Sequence, residues 1–168
     1  MLRFVFPTED SRQDVQSFYN EFKSDGGNCI GYGGYKNFDR WLAGMNNRIS
    51  GKNLPAGYVR ENFYLCYDGD DMVGEVKHKF ELTELMRDFG GHIGYAVKPS
   101  RRNRGCASQM LKQGLDIARE LGFVRVLCVC DEDNIASERV IIKNGGIFEN
   151  RLYDDEEKVF VKRYWIDL

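Results

Sequence analysis

The stretch Tyr95-Ala96-Val97-Lys98-Pro99-Ser100-Arg101-Arg102-Asn103-Arg104-Gly105-Cys106-Ala107-Ser108 decides how this chain is read. It begins at the end of an apolar run that starts near Gly91, and Pro99 closes that strand. A short basic loop follows. From Cys106 onward, Ala107, Met110, Leu111, Gly114, Ala118 and Leu121 share one helical face, so the spacing predicts a helix over 106–121 that Gly122 stops. A strand, a tight loop and a helix opening on small residues can receive an anion. The first turn of a helix carries unpaired backbone N–H groups and the positive end of the dipole. Gly105 and Ala107 let an anion approach that backbone, and Lys98, Arg101, Arg102 and Arg104 add charge. This is how a phosphate or pyrophosphate is held. A plain solvated basic loop before a helix fits the same residue types, and composition leaves the two readings level. GxxxxGK and GxGxxG are both missing, which excludes a P-loop and a dinucleotide-binding turn.

Downstream, residues 124–130 are apolar almost throughout, as in a strand covered on both faces. A second late helix is expected over 135–143, stopped by Asn144-Gly145-Gly146. Two closing strands fit 147–152 and 158–166, joined by the acidic turn Asp154-Asp155-Glu156-Glu157. Upstream, Phe63-Tyr64-Leu65-Cys66-Tyr67 is a β run. Asp68-Gly69-Asp70-Asp71 turns it into a partner strand over 72–80. Phe4 and Phe6 flank a short apolar start that reads as a strand. Ser11 with Asp14 resembles a capping box for a helix running to about Lys23 and ending at Asp25-Gly26-Gly27. Residues 28–34 read as a glycine-rich loop, Phe38, Trp41, Leu42 and Met45 as the face of a second helix, and 51–60 as a loop. The order is one strand, two helices, a β meander, a βαβα unit and a closing β pair. That is a mixed α/β sheet, not a doubly wound one, because the middle strands lack crossover helices.

The chain has 168 residues, which suits one domain over 1–168. With 42% hydrophobic and 30% charged residues it has the balance of an ordinary soluble globule. A net charge of −2 opposes nucleic-acid binding. No apolar run approaches the roughly 20 residues of a membrane span. Residues 1–7 are too short an apolar start for a signal peptide, so a cytoplasmic location is expected. The five cysteines, Cys29, Cys66, Cys106, Cys128 and Cys130, are odd in number and lack CxxC spacing, which argues against a disulfide framework. His78 and His92 lie far apart, so no metal site is expected.

Arg102-Asn103-Arg104-Gly105-Cys106-Ala107 matches the signature of the GNAT superfamily of N-acetyltransferases: Gln or Arg, two residues, Gly, one residue, then Gly or Ala. Asn134-Ile135-Ala136-Ser137 resembles the second hallmark of that family, an Asn opening the next helix. The element order is similar from first strand to last. Gly90-Gly91-His92-Ile93-Gly94-Tyr95, Gly145-Gly146 and Arg163-Tyr164-Trp165-Ile166 resemble a bacterial subgroup of predicted acetyltransferases. The resemblance implies a GNAT fold: a single mixed, mostly antiparallel twisted sheet flanked by helices. It implies acetyl-CoA as cosubstrate and a small-molecule or peptide amine as acceptor. Backbone around Tyr95, Ala96 and Val97 would pair with the pantetheine arm, admitted by a splay between the strands at 91–97 and 124–130. Backbone N–H groups of Arg102, Asn103, Arg104, Gly105, Cys106 and Ala107 would hold the pyrophosphate, with Ser108 nearby. Asn134 would reach the pantetheine or acyl region and Ser137 the coenzyme's other side. Asn134 is equally suited to a plain helix N-cap, and both can hold together. No nucleic-acid or membrane partner is implied, and a homodimer is compatible with the composition.

The chemistry is attack of an amine on a thioester, which needs proton carriers and a stabilised oxyanion. Here the chain departs from the family. Many members carry a Tyr seven residues after the Asn as general acid, where this chain has Ile141. Others carry a Glu early in the strand before the signature, at about Gly91 here. Candidates in their place are His92, whose imidazole titrates near neutrality, Tyr164 in the last strand, Glu75 and Tyr95. A hydrogen-bonded His92 packed under a helix and a core Tyr164 are the plainer readings. Cys106 at a helix start beside arginines is placed for a lowered pKa, but a small helix-start residue is the simpler account. Cys128 and Cys130 invite a redox reading, and Asp131-Glu132-Asp133 lacks the glycine and distal Glu of a calcium loop. A non-catalytic acyl-CoA sensor is the alternative function that Ile141 and Gly91 suggest. The acidic 154–157 turn and the acidic first helix hint at a cationic acceptor, though a solvated face explains them as well.

Overall fold

In the computed structural model, which describes residues 1–26, 35 and 37–168, four strands form the first sheet. β1 (Arg3–Val5) pairs with β2 (Glu61–Asp68), β2 with β3 (Asp71–Lys79) and β3 with β4 (Ile93–Val97), all antiparallel. The β2–β3 hairpin turns at Gly69 and Asp70, where the sequence places it. The glycine-rich 28–34 stretch, with Cys29, lies outside the described residues.

Each face of this sheet is covered by helices with matching apolar stripes. α1 (Arg12–Asp25) and α2 (Phe38–Ser50) bury Val15, Phe18, Phe22, Phe38, Trp41, Leu42 and Met45 against Phe63, Leu65, Tyr67 and Met72. Each such side chain contributes roughly 1.5–3 kcal/mol on leaving water. α1 is not capped as expected. Ser11 makes no side-chain cap bond to α1; its Oγ accepts from Thr8 N–H at 3.1 Å, within a one-turn helix at Glu9–Ser11. Asp14 accepts instead from the Tyr67 hydroxyl at 2.9 Å. α3 (Glu84–Phe89) was invisible to periodicity because it buries no residue. Thr83 starts it by accepting from Met86 N–H.

On the other face α4 (Cys106–Glu120) packs Met110, Leu111, Leu115 and Ala118 against Val73, Val76 and Ile93. Leu121, expected inside this helix, is its exposed C-cap. A second sheet follows, of β5 (Arg125–Asp131), β6 (Ile147–Asp154) and β7 (Val159–Asp167), in the order β5-β7-β6. Val124 is 79% exposed, so β5 starts one residue later than its apolar run suggests. α5 (Ile135–Lys143) has the expected bounds. The structure is therefore mixed α/β with antiparallel sheets flanked by helices. The expectation of one sheet is corrected: the ladders divide into sheets of four and three strands. The division falls at the β4–α4–β5 crossover, the connection that joins parallel neighbours. Among the described residues no helix is long and apolar enough to cross a membrane.

Candidate active site

β4 and β5 lie side by side without a ladder. One backbone bond joins them just before β4, from His92 N–H to Leu127 O at 2.7 Å. Leu127 N–H returns to His92 Nδ1 at 2.9 Å. Close approach here depends on Gly91. Its φ is +69°, and a Cβ would stand 2.6 Å from Leu127 O. Beyond this rivet a cleft of about 1090 Å³ opens, lined by 93–97 on β4 and by 128–131 on the β5 side. Tyr95 reaches from β4 to α5, where its hydroxyl lies 2.9 Å from Ser137 Oγ and donates to Ser137 O at 3.3 Å. Burial pushes the Tyr95 phenol far up, so it stays neutral.

The cleft runs to the start of α4. Arg102 N–H is used by Pro99 O and Gln109 N–H by Gly105 O. Between them, the N–H groups of Cys106, Ala107 and Ser108 form the first helical turn and have no intrahelical acceptor. Asn103 (φ +60°) and Gly105 (φ +79°) are both left-handed, the alternation that builds an anion-binding nest. A Cβ at Gly105 would meet nothing within 4 Å, so the space above the turn is open. Arg102, Asn103, Gly105, Cys106, Ala107 and Ser108 all line the cleft, while Arg104 is exposed outside it. Three of the loop's four cations are already partnered. Arg102 pairs with Asp25 at 2.6 Å, Arg101 with Asp71, and Lys98 with Asp71 at 3.6 Å and Glu21 at 3.9 Å. The Arg101 and Arg102 pairs, about a third exposed or more, are worth about 1 kcal/mol or less. Beside them the N–H groups of the first turn of α4 have no intrahelical acceptor.

On the opposite wall Asn134, Ala136 and Ser137 open α5. Asn134 Oδ1 accepts from Ser137 N–H at 3.0 Å, so it caps the helix while facing the cleft. Ile141 is 1% exposed and lines the cleft from the core side. Cys128 and Cys130 line it too. Burial pushes their thiols up to about 12 and about 11, which removes the thiolate a redox role needs.

The structure does not bring His92 and Tyr164 to the cleft. His92 spends Nδ1 on Leu127, and its ring packs near Phe123 and Trp165 at 5.7 and 6.0 Å between centroids. Burial, then Lys79 and Arg87, push it down to about 4. Tyr164 is 2% exposed and donates to Glu138, which also accepts from Lys162 Nζ at 2.9 Å. Burial and that carboxylate push its phenol far up. Glu75 is buried and is not among the lining residues.

Among the lining residues not singled out by the sequence are Lys77 and Lys79 of β3. Lys79 is 7% exposed, and its Nζ donates to Gly91 O at 3.2 Å. Burial, then Lys77, push it down to about 8. The strand period of two puts Glu75, Lys77 and Lys79 on one face, a signal that was available in the sequence.

A model of the GNAT acetyltransferase domain matches residues 3–147, and the chain belongs to that family of acetyl-transferring enzymes. No curated protein sequence matches it. Among solved structures, a ribosomal-protein alpha-N-acetyltransferase in complex with coenzyme A superposes with TM-score 0.73 at 17% identity, covering 99% of this chain and 94% of that one. A microcin self-immunity acetyltransferase in complex with acetyl-CoA and AMP gives 0.73 at 13%, over 99% and 92%. A chimeric spermidine N-acetyltransferase from Vibrio cholerae and hSSAT gives 0.70 at 16%, over 99% and 94%. At these identities the likeness shows the fold.

Proposed function

We propose that this acetyltransferase moves the acetyl group of acetyl-CoA to an amine by direct attack. One observation carries the reading: the gap between β4 and β5 leads straight to the open N–H groups of the first turn of α4. The gap suits a pantetheine arm lying along Tyr95, Ala96 and Val97. The turn, from Arg102 to Ser108, suits a pyrophosphate. Asn134 and Ser137 face the same space from α5. The neighbours solved with coenzyme A and acetyl-CoA support the choice of donor.

In the reaction the amine nitrogen bonds to the thioester carbon, the C–S bond breaks, the nitrogen loses a proton and the thiolate gains one. Backbone N–H groups along β4 are suited to polarise the carbonyl. Gly91 and Ile141 offer no proton carrier, and His92 and Tyr164 lie outside the cleft lining. We therefore read catalysis as positioning: the amine arrives as the neutral base, water protonates the departing sulfur, and the hydroxide so formed takes the proton that the attacking nitrogen sheds. The test is calorimetry with acetyl-CoA and CoA, then thiol release over a panel of amines. Binding with turnover is expected. Binding without turnover over a broad panel would favour the sensor reading, and no binding of either form would remove the donor.

A further inference from the structure

The rivet brings two strand edges together at one end, yet no ladder follows it. An unpaired strand edge is a template for another strand, and β5 offers one beside β4 directly beyond the rivet. The slot between them therefore needs a physical cause.

Tyr95 crosses it. Its backbone is fixed in the β3–β4 ladder, opposite Val76. Its ring packs on the core that contains Met110, Cys128 and Ile141, and it passes near Cys128 and Cys130, whose thiols act on its phenol. Its hydroxyl ends 2.9 Å from Ser137 Oγ and 3.3 Å from Ser137 O, at the start of α5. Among the described residues no other group of β4 hydrogen-bonds to β5 or α5. The far end is fixed in its turn. Ser137 N–H donates to Asn134 Oδ1 at 3.0 Å, and Asn134 N–H donates to Asp131 O, the last residue of β5, at 3.0 Å. A tyrosine has two side-chain torsions and a rigid ring. With both ends held, its length sets the distance from β4 to the β5–α5 corner. The hydroxyl resists opening and the ring resists closing.

We propose that the Tyr95–Ser137 pair is a strut that keeps the β4–β5 slot open in the empty protein, which makes Tyr95 a positioning residue for the acetyl donor. This rests on the acetyl-transfer reading, in which the arm of acetyl-CoA enters that slot. Without the hydroxyl bond the β4 edge closes toward β5, and a guest meets an open slot only part of the time. Apparent affinity then falls by the open fraction, and the loss is in association. A side chain that grips the coenzyme directly would act through dissociation instead.

The experiment is stopped-flow binding of CoA and of acetyl-CoA to the parent, Tyr95→Phe, Ser137→Ala and the double variant. Each single variant should lower the association rate about three- to tenfold, the effect of one hydrogen bond on the open fraction, and leave dissociation within about twofold. The double variant should be no slower than the singles, because all three lack the same bond. Ser137→Thr keeps a hydroxyl and should restore the rate. In the empty variants the slot-facing amides of β4 should exchange with deuterium more slowly than in the parent. Additive losses in the double variant overturn the proposal, and so do unchanged rates in folded variants. Faster dissociation with unchanged association also overturns it, since that marks a direct contact with the coenzyme. If Tyr95→Phe fails to fold, the two Ser137 variants decide the matter by the same rates. Each of these outcomes leaves the donor reading standing. Failure of the parent to bind CoA or acetyl-CoA removes the donor reading, and this inference with it.

Discussion

The two ends of the cleft are built differently. The turn before α4 is local: Asn103, Gly105 and the first turn of α4 lie within a few residues, with two left-handed φ angles and N–H groups that lack an intrahelical acceptor. The β3 end is assembled from afar. Lys79 of β3, Gly91 before β4 and Leu127 of β5 meet there across a span of 48 positions in the chain. The local end depends on backbone conformation within one short segment, and the assembled end on the fit of elements that meet only in the fold.

The sharpest way to break the contrast is at Gly91. Gly91→Ala should destabilise the fold by roughly 2–5 kcal/mol, since it adds left-handed strain and a clash with Leu127 O. Chemical denaturation reads this, and a stable variant would show that close approach is not needed there. Gly105→Asp should cost only about 1 kcal/mol of stability, because its Cβ meets nothing and Asp bears the left-handed φ with less strain than most residues. It should still weaken CoA about ten- to a hundredfold by calorimetry, through repulsion and the loss of charge-assisted bonds. Unchanged affinity would move the anion site elsewhere. Asn134→Ala should cost about 1 kcal/mol from the lost cap of α5, read by thermal unfolding.

A smaller effect is expected at His92. Its folded pKa of about 4 lies below the unfolded value near 6.5, so the unfolded chain binds the proton first. Stability from this group is complete above about pH 6.5 and is lost as pH falls toward 4. His92→Gln should flatten stability between those limits, and an unchanged slope would assign the acid sensitivity to other groups. Smallest of all, Tyr164→Phe should keep kcat within a few-fold while CoA binding is retained. A loss of a hundredfold or more would restore Tyr164 as a proton carrier.

Much of the fold was legible because its signals were local. The bounds of α5, the β2–β3 hairpin and the stripe Phe38, Trp41, Leu42, Met45 all follow from short-range spacing and turn residues. The short α3 left no stripe to read, and Thr8 took the place expected of Ser11 because the chain makes one tight turn first. The division into two sheets was legible only as a splay implied by family resemblance. No pattern within β4 or β5 encodes a missing ladder. The start of α4 at Gly105 and Cys106 was readable. His92 and Tyr164 were not, since what occupies them lies 35 and 26 positions away, at Leu127 and Glu138. The strand period places Lys79 on one face with Glu75 and Lys77, but its burial is visible only in the fold.

The rivet between His92 and Leu127 leaves this protein with two raw strand edges that face each other instead of solvent. An exposed edge is an invitation to aggregate. Here both edges face one cleft, where the proposed pantetheine arm would lie as an extended guest. The guest would then complete the sheet as a removable eighth strand. Occupancy should accordingly be legible without any assay of turnover. Slot-facing amides of β4 and β5 should exchange with deuterium quickly in the empty protein and slowly in the filled one. Amides in the β2–β3 and β5–β7 ladders should keep one rate throughout.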